Sequence, residues 1–282
     1  MAISTTTSMN GLFNSIYEDA LFVAREANIM TNLVRNFRAM GWAARTLGIY
    51  PTLSAESVSE GVDYSNATEF TKTSLATLTP GEVITQVVLT DRRLDTDPDN
   101  ARVDAAQEMG NAIATKIDTD LVGTFTSFTT DKGDGAGNSA TIANFSAAMS
   151  VLRNNKVPMP INAVVHPYHW HDIFIELGQP VVTAAFLGEL ANQALRDFFV
   201  GRWININWFV NANIAVDGST DAVSGVFNPQ AIGFDVRKAP IMEPERDASL
   251  RAWELNMSAG YGYGVIRNSF GVKFTADATE PT

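Results

Sequence analysis

Residues 97–125, DPDNARVDAAQEMGNAIATKIDTDLVGTF, constrain the fold more than any other stretch, because they read as one long helix with a single apolar face. Asp97 suits an N-cap, and Pro98 takes the first helical position, where its missing N–H costs nothing. Asp99 then puts negative charge at the positive end of the helix dipole. Ala106, Met109, Ile113, Ile117 and Leu121 recur at spacings of three and four, while Asp104, Gln107, Asn111, Thr115 and Asp118 form the opposite stripe. At about 1.5 Å per residue the helix is roughly 40 Å long, as wide as a domain. With one apolar face it must cross the surface of a sheet.

Residues 11–40 read as an amphipathic helix or a broken pair, with Leu12, Ile16, Ala20, Ala24, Ala27, Val34 and Phe37 on one stripe and Gly41 as the stop. A helix on its own core is one reading. An arm packed under neighbouring subunits is the other, favoured because the main domain begins much later. Residues 51–66 are polar and extended. Thr68–Leu78 and Glu82–Thr90 are β-prone runs around the turn signal Thr79-Pro80-Gly81, which predicts a hairpin. A lone hairpin is marginal in water, and no third strand is evident before the long helix. Its open edges therefore point to another subunit as partner, with folding back onto its own sheet as the alternative.

After the loop at 131–138 the elements become short. Helices are expected at 142–154, 168–177 and 183–198, and strands at 162–166, 203–209, 222–227 and 231–237. This block, 142–239, reads as a compact α/β unit inserted before the final strands. Leu250, Trp253, Leu255 and Met257 supply apolar side chains to the closing segment, followed by 261–265 and 270–274, with TADATEPT expected to fray.

The 282 residues suffice for a substantial core, and the chain has no cysteine, which excludes disulfides, thiolate catalysis and cysteine metal sites. No apolar run is long enough to span a bilayer, and MAISTTTSMNG lacks the regions of a signal peptide, so folding in the cytosol is the default. The formal charge is −11, opposite to the basic footprint of a sequence-specific DNA reader. Residues 1–50 alone are slightly basic.

Catalytic signatures are weak. His166, His169 and His171 share one string and invite a histidine-dependent metal site, but residues two apart on a helix face different ways, and no zinc signature accompanies them. Asp95, Asp97 and Asp99 could hold a hard cation, although helix-dipole charge explains them more simply. Gly133, Gly135 and Gly137 fit neither the dinucleotide fingerprint nor the phosphate loop. Glu243, Glu245 and Asp247, around Pro244 and Arg246, read as a solvated loop, and Trp203 and Trp208 as core. No catalytic residue, cofactor or metal is assigned.

The order of these parts resembles the major capsid protein of tailed bacteriophages, the Hong Kong 97 fold. LTDRRLDTDPDNARVDAAQEMGNAIATKIDTDL is similar to the approach to that family's spine helix. FNPQAIGFDVRKAPIMEPERDASLRAWELNMSAGYGYGVIRNSFGV is similar to its passage out of the axial domain. The resemblance implies an α+β fold with an N-terminal arm (1–50), an extended β-hairpin loop (51–94), a peripheral domain with the spine helix (95–141 and 240–282) and an axial domain (142–239). It implies a shell of hexamers and pentamers around double-stranded DNA bound without sequence specificity. A separate scaffolding protein, a portal, assembly in the host cytoplasm, residence in the virion and no enzymatic activity also follow. Arg35, Arg38, Glu69, Lys72, Glu82, Arg92, Arg93, Glu243, Glu245, Arg246 and Asp247 become candidates for subunit contacts. Lys72 is the only lysine of the loop. Some family members join such a lysine to a neighbour's asparagine, but neither that asparagine nor its promoting glutamate matches a defined position here. An encapsulin-like compartment, which resembles the same fold, is the alternative, and a histidine-dependent metalloenzyme a second. Without the resemblance, a strut, an uncovered hairpin and an outlying arm still leave surface that only neighbours can bury.

Overall fold

The computed structural model describes residues 29–50, 53–65, 69–92, 98–178, 202–203 and 205–281. In chain order these form a 3-10 turn at Met30–Asn32, β1 (Arg35–Arg38), β2 (Arg45–Ile49), β3 (Thr73–Leu78) and β4 (Gly81–Thr90). Then come α1 (Pro98–Gly123), a second 3-10 turn at Thr124–Ser127, α2 (Ile142–Asn154), β5 (Asn162–Val165) and α3 (Pro167–Gly178). The chain closes with β6 (Arg202–Trp203), β7 (Ile206–Val210), β8 (Asp221–Phe227), β9 (Ile232–Asp247), β10 (Ala252–Val265) and β11 (Gly271–Asp277).

Three sheets result, ordered β1-β9-β10-β4, β11-β8-β5-β7-β6, and a ribbon of β2 with β3. The spine of the first is the β9–β10 hairpin, whose 16-residue first strand is roughly 50 Å long at about 3.3 Å per residue. The 26-residue α1 crosses this sheet and buries Met109, Ile113 and Leu121 with half-buried Ile117, as its apolar stripe predicts. Gln107, Asn111 and Thr115 of the opposite stripe are exposed. Asp118 is not. It is buried, accepting hydrogen bonds from the Met30 backbone N–H (3.0 Å), Asn213 Nδ2 (2.8 Å) and Asn211 Nδ2. Three amide donors replace water around the carboxylate, and one of them ties the start of the described chain to α1.

The second core lies around the five-stranded sheet, where Phe145 of α2 stacks on Phe274 at 4.2 Å and Trp170 of α3 meets Trp208 at 5.7 Å. The two cores join at the end of α1. Phe125 lies against Gly225 and Phe128 against Gly271, so close that a Cβ on either glycine would fall within 3 Å of the ring.

Several expectations change. The helix read over 11–40 is outside the described residues up to 28, but its last third is instead the 3-10 turn and β1, which pairs in parallel with β9 from Arg35↔Gly233 to Arg38↔Val236. The strands flanking Thr79-Pro80-Gly81 do not pair with each other. β3 pairs with β2, and β4 pairs with β10 over Ala252↔Thr90 to Tyr261↔Gly81. The turn signal marks a passage between two sheets, held where its backbone packs on Gly262, and the third strand thought absent comes from later in the chain. The solvated loop at 243–247 is the far end of β9. There Pro244 lies opposite Leu255, on a strand edge that β1 does not reach, where a missing N–H is tolerated. The final strand, read as part of the closing segment, is β11 of the five-stranded sheet. It takes up Thr275, Ala276 and Asp277 of the tail expected to fray, and Ala278 beyond it is buried. The strand read over 203–209 is divided into β6 and β7, with Asn205 between them at a φ of 63°. The helix expected at 183–198 is outside the described residues.

Asp118→Ala leaves three donors without an acceptor and is expected to lower stability by about 3 kcal/mol. Asp118→Asn, which keeps one acceptor oxygen, should lose less. Urea unfolding midpoints at equal slope give the comparison.

Candidate functional site

The β2–β3 ribbon projects from the first sheet, and its root is fixed by charge. Asp235 of β9, 1 % exposed, accepts from Arg45 Nε at 2.8 Å and from Arg237 Nη2 at 2.7 Å. Two guanidinium groups on one buried carboxylate make a strong, directional clasp. Next to it, Leu78 fills the space over Gly233 and Gly264, so the inner end of the ribbon is both ion-paired and packed.

The outer end is different. Tyr50 and Phe70 stack in parallel at 4.6 Å while both remain more than half exposed. Leu53, Val58, Val62 and Tyr64 continue the exposed apolar row along the connecting loop. Met40 is 98 % exposed. On the face of the first sheet away from α1, Ile84 and Val88 of β4 also point outward, beside Ser258 and Glu254 of β10. Large apolar side chains left in water suit a contact site. It can bind through burial of apolar area.

Several of the charged candidates are engaged within the chain. Arg35 lies over the Phe37 ring at 5.0 Å, and the Arg38 carbonyl accepts from Arg45 Nη2. Glu69 and Lys72 are exposed beside the ribbon. Glu82 and Glu243 flank Lys238, each at 3.7 Å, and Glu245 lies opposite Glu254. Arg246 makes a bidentate pair with Asp91 at 2.7 and 3.0 Å. Asp247 accepts from the Ser249 hydroxyl and from the Leu250 and Ser249 N–H groups, which closes the β9–β10 turn and holds its carboxyl below the usual range. Arg92 is exposed and Arg93 is outside the described residues. The exposed apolar residues were missed in the sequence reading. Their only signal is large apolar side chains scattered through a Ser- and Glu-rich stretch.

His169 is spent internally. His169 is fully buried, with Nε2 3.1 Å from the Ala276 carbonyl and Nδ1 2.8 Å from Ser224 Oγ. A carbonyl can only accept, so Nε2 carries the proton and Nδ1 accepts from Ser224, whose oxygen in turn accepts from the His166 N–H at 3.1 Å. No lone pair on His169 remains for a metal. Among the described residues no three His, Cys, Asp or Glu form a metal-holding group, and no helix is long and apolar enough to cross a membrane.

Burial lowers His166 to about 4 and pushes His169 down as well. Both are neutral when folded, and the unfolded chain binds more protons below its value of about 6.5. The histidine contribution to stability is therefore full above that pH, and the part from His166 is lost as pH drops toward 4. The loss from His166 is on the order of 3 kcal/mol. Melting temperature measured against pH should show this slope, and His169→Ala should remove part of it while destabilising the protein at neutral pH.

The Phage capsid protein family matches residues 84–274. Among solved structures, a chain of Mycobacterium phage Che8 is similar at a TM-score of 0.71 and 15% identity, covering 88% of this chain and 90% of that one. The capsid of cyanophage P-SCSP1u is similar at 0.69 and 14% identity, with 89% of each chain covered. The virus-like particle from Pyrococcus furiosus is similar at 0.60 and 10% identity, covering 93% and 99%. A search of curated proteins by sequence finds no match. The family match runs from β4 to β11 and takes in the five-stranded sheet and all of the first sheet but β1, and on that ground the chain belongs to the phage capsid protein family and is a shell-forming structural protein with the Hong Kong 97-like α+β fold.

Proposed function

We propose that copies of this chain close into an icosahedral shell of hexamers and pentamers around phage double-stranded DNA. The observation that carries this reading is the ribbon, anchored at its root by Asp235 and bearing an unburied apolar row on its loop. Such a projection meets a different patch on the next copy, which is a heterologous contact and closes into rings when the rotation allows. Contacts of roughly 1,200–2,000 Å² each suffice when every subunit makes several.

In this reading the residues before β1 supply the arm, β2 and β3 with the loop between them the extended loop, α1 with the first sheet the peripheral part, and the five-stranded sheet the axial part. The charge of −11 suits a wall that must not grip its contents, because phosphate binding through many cations is tight and salt-dependent. A separate scaffolding protein, a portal and assembly in the host cytoplasm complete the proposal. The charged candidates act as contact residues and perform no catalysis.

Purified protein should form closed particles under negative stain. Replacing residues 53–65 with a short Gly-Ser bridge should leave a folded subunit that no longer assembles. Binding of the wild-type subunit to non-specific DNA at low salt should be weak. A stable monomer at high concentration, or tight DNA retention, would count against the reading.

A further inference from the structure

Between the first sheet and the ribbon lies a cleft of about 340 Å³, room for roughly ten waters. Four cations line it: Arg35 of β1, Arg45 of β2, Lys72 just before β3 and Arg267 just after β10. No described carboxylate lines it, in a chain whose overall charge is −11. Asp235 offsets Arg45 but is shared with Arg237. Arg35, Lys72 and Arg267 make no ion pair among the described residues. Like charges gathered in one cleft repel, and an anion among them removes that cost.

The register spreads these charges along the cleft. Arg45 stands opposite Leu78 at the inner end of the ribbon, while Lys72 lies just beyond the outermost pair, Ile49 with Thr73. The Lys72 stem reaches one pair inward, with Cγ and Cε both within 3 Å of where a Cβ on Gly48 would be. Arg45 and Gly48 are roughly 10 Å apart along the strand. Three guanidinium groups are fixed in advance: Arg35 and Arg45 over Phe37 at 5.0 and 5.1 Å, and Arg267 over Phe270 at 4.9 Å. Such stacking lowers the ordering cost of binding an anion. Guanidinium forks match phosphate oxygens, and cations set out in a row suit a chain of phosphates better than a single carboxylate. We infer that this cleft binds a short linear polyphosphate, free or as the tail of a nucleoside triphosphate. Arg35 and Arg267 belong to the first sheet and Arg45 and Lys72 to the ribbon, so the bound anion bridges the two and stiffens the joint between them. The site stands apart from the shell reading and needs no second copy of the chain.

The test is calorimetric titration of the full chain with inorganic phosphate, pyrophosphate and tripolyphosphate at matched low ionic strength, where screening is weakest. Affinity should rise with chain length, by about tenfold or more from phosphate to tripolyphosphate. Lys72→Gln and Arg267→Gln should each weaken tripolyphosphate binding about tenfold, while Arg153→Gln on the exposed face of α2 leaves it unchanged. Circular dichroism checks folding, and if Arg267→Gln unfolds the subunit, the exposed Lys72 carries the test alone. A nucleoside triphosphate that binds as tightly as tripolyphosphate assigns recognition to the phosphates alone, and tighter binding adds the nucleoside; both support the site. Equal affinity for all three anions, or tripolyphosphate binding that Lys72→Gln leaves intact, marks adventitious ion binding only and overturns it. A single-stranded oligonucleotide that binds more tightly than tripolyphosphate and fails in the same variants also overturns it, by assigning the cleft to nucleic acid. None of these outcomes bears on shell closure, which negative stain reports separately.

Discussion

The antiparallel ladder between β9 and β10 is what the other parts are attached to. Its register runs from Asp247↔Ala252 to Ile232↔Val265, with irregularity around Ser258 and Gly260. A two-stranded ladder of that length cannot stand alone in water, because its outer N–H and C=O groups and its faces are open. Each neighbour answers one of these needs. β4 covers the edge of β10, β1 covers the inner end of β9, and α1 covers one face with Met109 and Ile113. The outer end of β9 keeps its edge, and there Pro244 and the charges of Glu243, Glu245 and Arg246 discourage uncontrolled strand pairing. What would be a liability elsewhere is managed by composition.

Two buried carboxylates lock this platform in different ways. Asp118 is surrounded by neutral amides, so its environment supplies hydrogen bonds without a counter-charge. Asp235 is paired with two arginines, one from β9 itself and one from the first residue of β2. Removing a partner from such a buried pair is far more costly than forming it is favourable. The consequence is positional. Asp118 fixes where α1 sits, Asp235 fixes the direction in which the ribbon leaves the sheet, and Tyr261 adds a bond to Asp120 at 2.7 Å between β10 and the helix. A projection aimed by rigid groups reaches its target with little further ordering, so more of the contact energy is available for association.

Local periodicity carried the local elements. The stripe of α1, the limits of α2 and the break before Pro167 follow from residues within one or two turns of each other. Pairing did not, because partners distant in sequence decide it. Nothing in Arg35–Arg38 announces a strand until Gly233–Val236 lies beside it. Thr79-Pro80-Gly81 is a true change of direction, but a turn signal cannot say which strands it separates. Asp118 fits the polar stripe by spacing and is buried because Met30, Asn211 and Asn213 converge on it from elsewhere. The site was half visible for a related reason. Charged residues advertise a surface, whereas Tyr50, Leu53, Ile84 and Phe70 look like core until the fold leaves them in water.

The same separation of roles explains how a subunit with so much apolar surface can stay apart from its copies before assembly. A net charge of −11 repels at long range, over a Debye length of about 8 Å at physiological salt. Apolar contact acts only once surfaces touch. Association therefore needs an approach in which opposite charges face each other locally, and most random encounters fail that condition. Where it is met, burial of exposed apolar surface can supply the favourable free energy. Each contact can remain modest, because a closed shell holds every subunit by several at once. Weak, reversible contacts let a misplaced subunit leave before the ring closes, whereas one very tight contact would trap it.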